Sequence, residues 1–189
     1  MILKRLLLIM VCVFWASVCW SGNSFPDHYD ADIKKASKQF LPGVDWRLLK
    51  AQYYQESLLQ TDAVSPVGAA GIAQFMPGTW SDVSKQLGYK NLNPHMAKPA
   101  IFAGAFYMSK LRQTWKAPRP EADKHSLALA SYNAGAGHLI KAQKLCGDVN
   151  AYADIARCLP RVTGRHSRET ITYVQRIWTL WAQMVIGNA

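Results

Sequence analysis

Glu56 is the residue best placed to do chemistry. Trp46, Leu49 and Tyr53 recur at i, i+3 and i+7, an apolar and aromatic stripe at helical spacing. Glu56 falls on that stripe, one turn past Tyr53. An acid on an inward face is costly unless something pairs or uses it. It also sits near the end of its helix, where the macrodipole disfavours negative charge. Burial and dipole both push a carboxyl pKa upward. A glutamate that keeps its proton near neutral pH is suited to general acid catalysis.

Several elements must hold this acid. Asp45 is a good N-cap for a helix over Trp46–Ser57. The pattern then breaks, and Ser65-Pro66-Val67-Gly68-Ala69-Ala70-Gly71 reads as a tight loop open to a ligand's close approach. Gln74, Met76 and Pro77 follow at once, placing an amide and a thioether beside the acid. Upstream, Ala31–Phe40 forms a short helix ended by Pro42-Gly43. Downstream, Thr79 caps a helix over Trp80–Leu87, and Ala100–Trp115 is a core helix with Pro99 in its first turn. Asp123 caps a helix through Tyr132 that stops at Asn133-Ala134-Gly135-Ala136-Gly137, and a new helix begins near His138. Arg161–Arg168 reads as a basic loop, solvated or turned toward an acidic polymer. Ser167 caps a last helix with Glu169 in its first turn and a wide apolar face from Ile171 to Val185. The chain is therefore mainly α, without internal repeats.

At 189 residues, half of them hydrophobic, the chain suits one domain with a sizeable core. Its net charge of +10 becomes +8 once Lys4 and Arg5 leave with a leader. That basicity fits an anionic polymer. No nucleic-acid motif and no dense basic run accompanies it, so nucleic acid is not the expected partner. Met1–Ser21 reads as an export signal, a charged start followed by the apolar run Leu6–Trp20, and residues 22–189 as the domain. Two alternatives stand beside cleavage, an uncleaved anchor and lipid attachment at Cys19. Ala16-Ser17-Val18 lacks the leucine and small last residue that lipid attachment expects. Membrane association is expected only through such an anchor. Cys146 and Cys158 are the cysteines outside the leader. An exported chain enters an oxidising compartment, so they are expected to pair, the alternative being two buried thiols. Two cysteines and scattered histidines make no convincing metal site, and no cofactor is expected.

The ordered string Glu56-Ser57, then Ser65 to Thr79, resembles the catalytic core of the soluble-lytic-transglycosylase family. Ala130 to Gly135 is similar to that family's second motif and Glu169 to Val174 to its third. The resemblance runs from about Asp45 to Val174. It implies a lysozyme-like single domain with a substrate groove, located in the periplasm or cell envelope. Peptidoglycan glycan strands are the implied partner, with a secretion, conjugation or phage machine of the cell envelope as a further one. Glu56 is the implied catalytic acid. Ser65, Gln74, Tyr132 and Asn133 would position sugar and acetamido groups, Met76 would line the groove, and Tyr173 would hold Glu56 by a hydrogen bond.

Most glycosidases use two carboxyl groups. Here the glutamates are Glu56, Glu121 and Glu169, and the nearby Asp62 lies in a polar stretch that reads as solvated. A single-acid route takes priority, and it is the one the resemblance implies. Glu56 would protonate the bond between N-acetylmuramic acid and N-acetylglucosamine, with the substrate's own N-acetyl group supporting the developing charge. Glu56 would then act as base on the muramyl C6 hydroxyl and leave a 1,6-anhydromuramyl end. Two other readings share the fold: a lysozyme-type hydrolase in which water attacks, and a glycan-binding or scaffolding protein without catalysis.

Overall fold

The structure is a computed structural model that describes residues 25–187. The export signal at Met1–Ser21 and the lipid-attachment alternative at Cys19 lie outside the described residues. Within them the chain forms nine helices and no strand, only two isolated bridges, Val64 with Ala70 and Ala70 with Phe75.

The helix carrying Glu56 is α2, Trp46–Ser57. Asp45 caps it, its side chain accepting from the Arg47 amide. Leu49 and Tyr53 of the apolar stripe are buried, while Trp46 is half-buried. Tyr53 is polar as well as aromatic, and its hydroxyl donates to the Ile101 carbonyl at 2.6 Å. It lies against Gly104 so closely that a Cβ there would meet the Tyr53 hydroxyl at 2.4 Å. Gly104 belongs to α4, Ala97–Thr114, whose Ala100, Ile101, Ala103, Ala105 and Met108 are all fully buried. Small residues let α4 pack closely, and α1, Asp30–Phe40, lies across it.

The helix α5, Glu121–Ala134, packs on α4, and α6, Ala136–Leu145, turns back from it at Gly135. The short α7, Tyr152–Cys158, and α8, Pro160–Thr163, cover that side. Cys146 and Cys158 form a disulfide between the end of α6 and the end of α7. The last helix, α9, His166–Ile186, lies along α2 and α5. Two bonds fix its direction. Trp181 Nε1 donates to Asp45 at the start of α2, and the Tyr173 hydroxyl donates to Glu56 near its end. The two helices are therefore antiparallel. Trp178 Nε1 adds a bond to Ser126 of α5 at 2.9 Å.

Three expected helix starts differ. Pro77 takes the first position of α3, Pro77–Gln86, because its fixed φ suits a helix start, so Thr79 lies inside the first turn and caps nothing. Pro120 precedes α5, and Asp123 sits in its first turn beside Glu121, where acids favour the dipole without capping. Ser167 is inside α9, its hydroxyl donating to the Gly164 carbonyl at 2.7 Å. The stretch 161–168 is not a loop throughout. Pro160 starts α8, Gly164 at φ 57 breaks it, and α9 has begun by His166.

Candidate active site

The chain after Glu56 makes a sharp change of course. Leu58 and Leu59 take left-handed conformations at φ 55 and 65 and end α2. The loop then folds on itself. Ser65 N–H bonds the Ala69 carbonyl, Gly71 N–H bonds the Ala63 carbonyl, and Ala70 and Phe75 bond each other twice. Gly71 is required here. Its φ is +74, and a Cβ would fall 1.8 Å from the Pro94 carbonyl oxygen.

Glu56 sits between this loop, α5 and α9. The Tyr173 hydroxyl donates to its Oε1 at 2.5 Å. Enclosure raises its pKa to about 7, and the Tyr173 bond acts in the opposite sense. Glu56 as a residue is half-buried and lines an open cavity. The result is an acid that holds a proton near neutrality and can reach a ligand. Burial pushes the phenols of Tyr132 and Tyr173 well above their ordinary value, and the Glu56 charge adds to this, so both stay neutral donors.

A cavity of about 650 Å³ opens at Glu56. Of the residues singled out from sequence, Glu56, Asn133 and Tyr173 line it together. Asn133 is exposed, and its Oδ1 accepts from the Thr170 hydroxyl at 2.8 Å. Tyr132 is a step away, tied to the loop by its hydroxyl, which donates to the Ala73 carbonyl at 2.7 Å. Ser65, Gln74 and Met76 are not in this lining. The Ser65 hydroxyl oxygen accepts from the Ala69 amide, and Gln74 Nε2 donates to the Gly71 and Ala63 carbonyls, so both side chains brace the loop. Met76 is 43 % exposed at the start of α3.

Sequence reasoning offered the basic run 161–168 as turned toward an acidic polymer but did not single out the wall of the cavity that Arg165, just before α9, forms with Arg168, Glu169, Thr172, Tyr173 and Arg176 on it. The signal was present as spacing, since these residues recur at three and four along one helix face. Reading 161–168 as a loop concealed it. Among the described residues no group of three or more histidines, cysteines and acids is arranged to hold a metal, and no helix is long and apolar enough to cross a membrane.

Residues 33–155 match the family described as Transglycosylase SLT domain. The chain belongs to this family. A membrane-bound lytic murein transglycosylase F of Thiobacillus denitrificans is 39 % identical over 127 residues, which is 65 % of this chain and 26 % of that protein. One from Ectopseudomonas mendocina is 34 % identical over 149 residues, 74 % of this chain and 29 % of that protein. The SLT chain thus spans between a quarter and a third of the length of these two relatives. Among solved structures, an inactive glutamate-to-glutamine mutant of the lytic transglycosylase Slt of Pseudomonas aeruginosa superposes with a TM-score of 0.67 at 26 % identity, over 86 % of this chain and 25 % of that one. The 70 kDa soluble lytic transglycosylase of Escherichia coli gives 0.68 at 23 % identity, over 84 % of this chain and 24 % of that one, a likeness of fold. The expectations of family and of a mainly α, lysozyme-like fold hold.

Proposed function

We propose that this chain is an exported peptidoglycan lytic transglycosylase of the cell envelope, with Glu56 as its single acid and base. The observation that carries the reading is the Glu56–Tyr173 pair at the mouth of an open cavity, a carboxyl with a pKa of about 7 held by a neutral phenol. The names of the SLT relatives support the substrate class, and the inactive glutamate-to-glutamine mutant of the Pseudomonas protein supports the dependence on an acid.

Protonated Glu56 gives its proton to the glycosidic oxygen as the bond to the muramyl C1 breaks. The N-acetyl oxygen of the same sugar shares the positive charge at C1. Ionised Glu56 then takes the proton of the muramyl C6 hydroxyl, and O6 closes on C1. The acid returns to its starting state and no water is consumed. The C6 hydroxyl is already in the molecule, which gives it a large effective concentration over water. Tyr173 donates to whichever state of Glu56 is present and stabilises the ionised one more. Asn133, oriented by Thr170, faces the sugar from α5.

One observation favours the hydrolase alternative: Glu169 lines the same cavity and supplies a second carboxyl. Digestion of purified peptidoglycan, with the products weighed, separates the two. Anhydromuramyl ends, lighter by one water than reducing ends and absent with Glu56→Gln, are the expected result. Reducing ends that disappear in Glu169→Gln would make the enzyme a hydrolase. Binding without products from the unmodified protein would support a scaffold within an envelope machine.

A further inference from the structure

The cavity beside Glu56 is strongly cationic along one wall. Arg168 and Arg176 line it from α9, and Arg165 from the residue just before that helix, where the backbone already has helical dihedrals. They stand at i, i+3 and i+11, within one narrow sector of the helix at 3.6 residues per turn. All three are exposed. The ion pairs among the described residues lie elsewhere, at Arg47, Lys50, Lys98, Arg112 and Arg157. Glu169, the one acid on this wall, is within ion-pair distance of none of the three. The wall therefore faces open space with three guanidinium groups that the protein does not neutralise. Their charge is directed into the cavity.

Guanidinium groups in a concave wall attract anions and hold carboxylates in paired hydrogen bonds. The span narrows the choice. From Arg165 to Arg176 the helix rises roughly 16 Å. An extended peptide covers that distance in about five residues. A glycan strand stripped of peptide offers a single lactyl carboxylate on each muramic acid. A stem peptide offers several carboxylates along an extended chain.

We propose that Arg165, Arg168 and Arg176 form a carboxylate-binding wall that takes the acidic stem peptide carried by the glycan strand at the site of cutting. This deepens the reading of Glu56 as a peptidoglycan-cutting acid and rests on it for the identity of the strand. The wall makes the enzyme prefer strands that still carry peptide.

The test uses soluble glycan strands in two forms, peptide-bearing and stripped by an amidase. Binding is titrated calorimetrically with the full Glu56→Gln protein, so that no cutting occurs. Peptide-bearing strands are expected to bind about tenfold more tightly than stripped ones, as paired guanidinium–carboxylate contacts imply. Adding Arg165→Gln, Arg168→Gln and Arg176→Gln should erase that difference while the circular dichroism spectrum stays unchanged. Raising salt from about 50 to about 300 mM should weaken the peptide-bearing complex of the arginine-containing protein more than the stripped one, and the two equally once the three arginines are replaced. In the Glu56 protein the same three changes should raise KM about tenfold with kcat within about twofold, the signature of lost uniform binding. Equal binding of the two strands, or a preference untouched by the three changes, would overturn the proposal. Arginine-dependent binding that is tighter for stripped strands would give the wall to the lactyl carboxylate and overturn the stem peptide. Binding is read without catalysis, so a protein that cuts nothing yet keeps the preference would overturn the transglycosylase reading and uphold the wall.

Discussion

A glutamate in water ionises near 4.5, but Glu56 keeps its proton to about 7. This carries a cost that can be measured. Between those values the folded protein binds a proton that the unfolded chain has released, so stability falls as pH rises. The full penalty is present above pH 7 and absent below the unfolded value. At 1.36 kcal/mol for each pH unit it amounts to about 3 kcal/mol. Glu56→Gln is therefore expected to be more stable than the parent at pH 8, by about 2–3 kcal/mol after allowance for the residue's partial exposure, and equal to it near pH 4. Urea unfolding at both pH values checks this, and a gap that does not depend on pH would contradict it. On the proposed single-acid route the same proton governs activity. As the general acid must be protonated, kcat/KM should fall as pH rises through about 7. Tyr173→Phe removes a donor that favours the ionised form. That bond, made to a charged group, is worth about 1.5–3 kcal/mol, so the alkaline limb should move up by at least about one pH unit. Loss of an oriented acid should also lower kcat. A lowered rate with an unmoved limb would mean that Tyr173 acts on the substrate alone.

At the scale of elements, the α2–loop–α9 arrangement explains what could be read in advance. Glu56 was legible because its helix is regular, with a cap at Asp45 and a stripe whose period is fixed by geometry. Tyr173 was legible only through its motif, since nothing in one helix says which other helix it will face. Ser65, Gln74 and Met76 enter the reading through the resemblance alone, and they do not line the cavity at Glu56, because loop side chains point where local dihedrals send them. Here Ser65 and Gln74 are spent on backbone groups of their own loop. The arginine wall was hidden because the early start of α9 depends on Pro160 and Gly164 dividing a basic run that has no apolar period of its own. The loop itself makes a sharp prediction. Gly68 and Gly71 both have positive φ, but a Cβ at Gly68 meets nothing while one at Gly71 strikes the Pro94 carbonyl. Gly68→Ala should cost about 1–2 kcal/mol, the left-handed penalty alone. Gly71→Ala adds a backbone collision and should cost at least about 1 kcal/mol more, with a matching loss of cutting because Tyr132 is anchored on the same loop. Unfolding midpoints of the two variants in one buffer make the comparison. Equal losses would mean that the residues around Pro94 yield freely.

For the whole molecule, the question is which parts of the fold the site depends on. The disulfide ties α6 to α7, two helices that pack on α5, and neither cysteine lines the cavity at Glu56. From Cys158 the chain runs through Leu159 directly into α8 and then α9, so the crosslink is a candidate for holding the arginine wall in place. Three other bonds do that work independently. Thr170 is bonded to Asn133, Trp178 to Ser126, and Trp181 to Asp45, which fix the start, middle and later part of α9 to α5 and α2. The disulfide should therefore matter to stability far more than to catalysis. Its loop has a sequence separation of 12, and closing a loop of that length is worth about 2–3 kcal/mol. For a domain of this size that corresponds to a fall in Tm of about 5–10 °C in the Cys146→Ser, Cys158→Ser protein. At 25 °C, where the folded state still dominates, the rate of muropeptide release should stay within about twofold of the parent, since no uniquely transition-state contact is lost. A folded double variant that cannot cut would show that α7 and α8 set the position of α9. The three bonds between helices would then be consequences of that placement, not its cause.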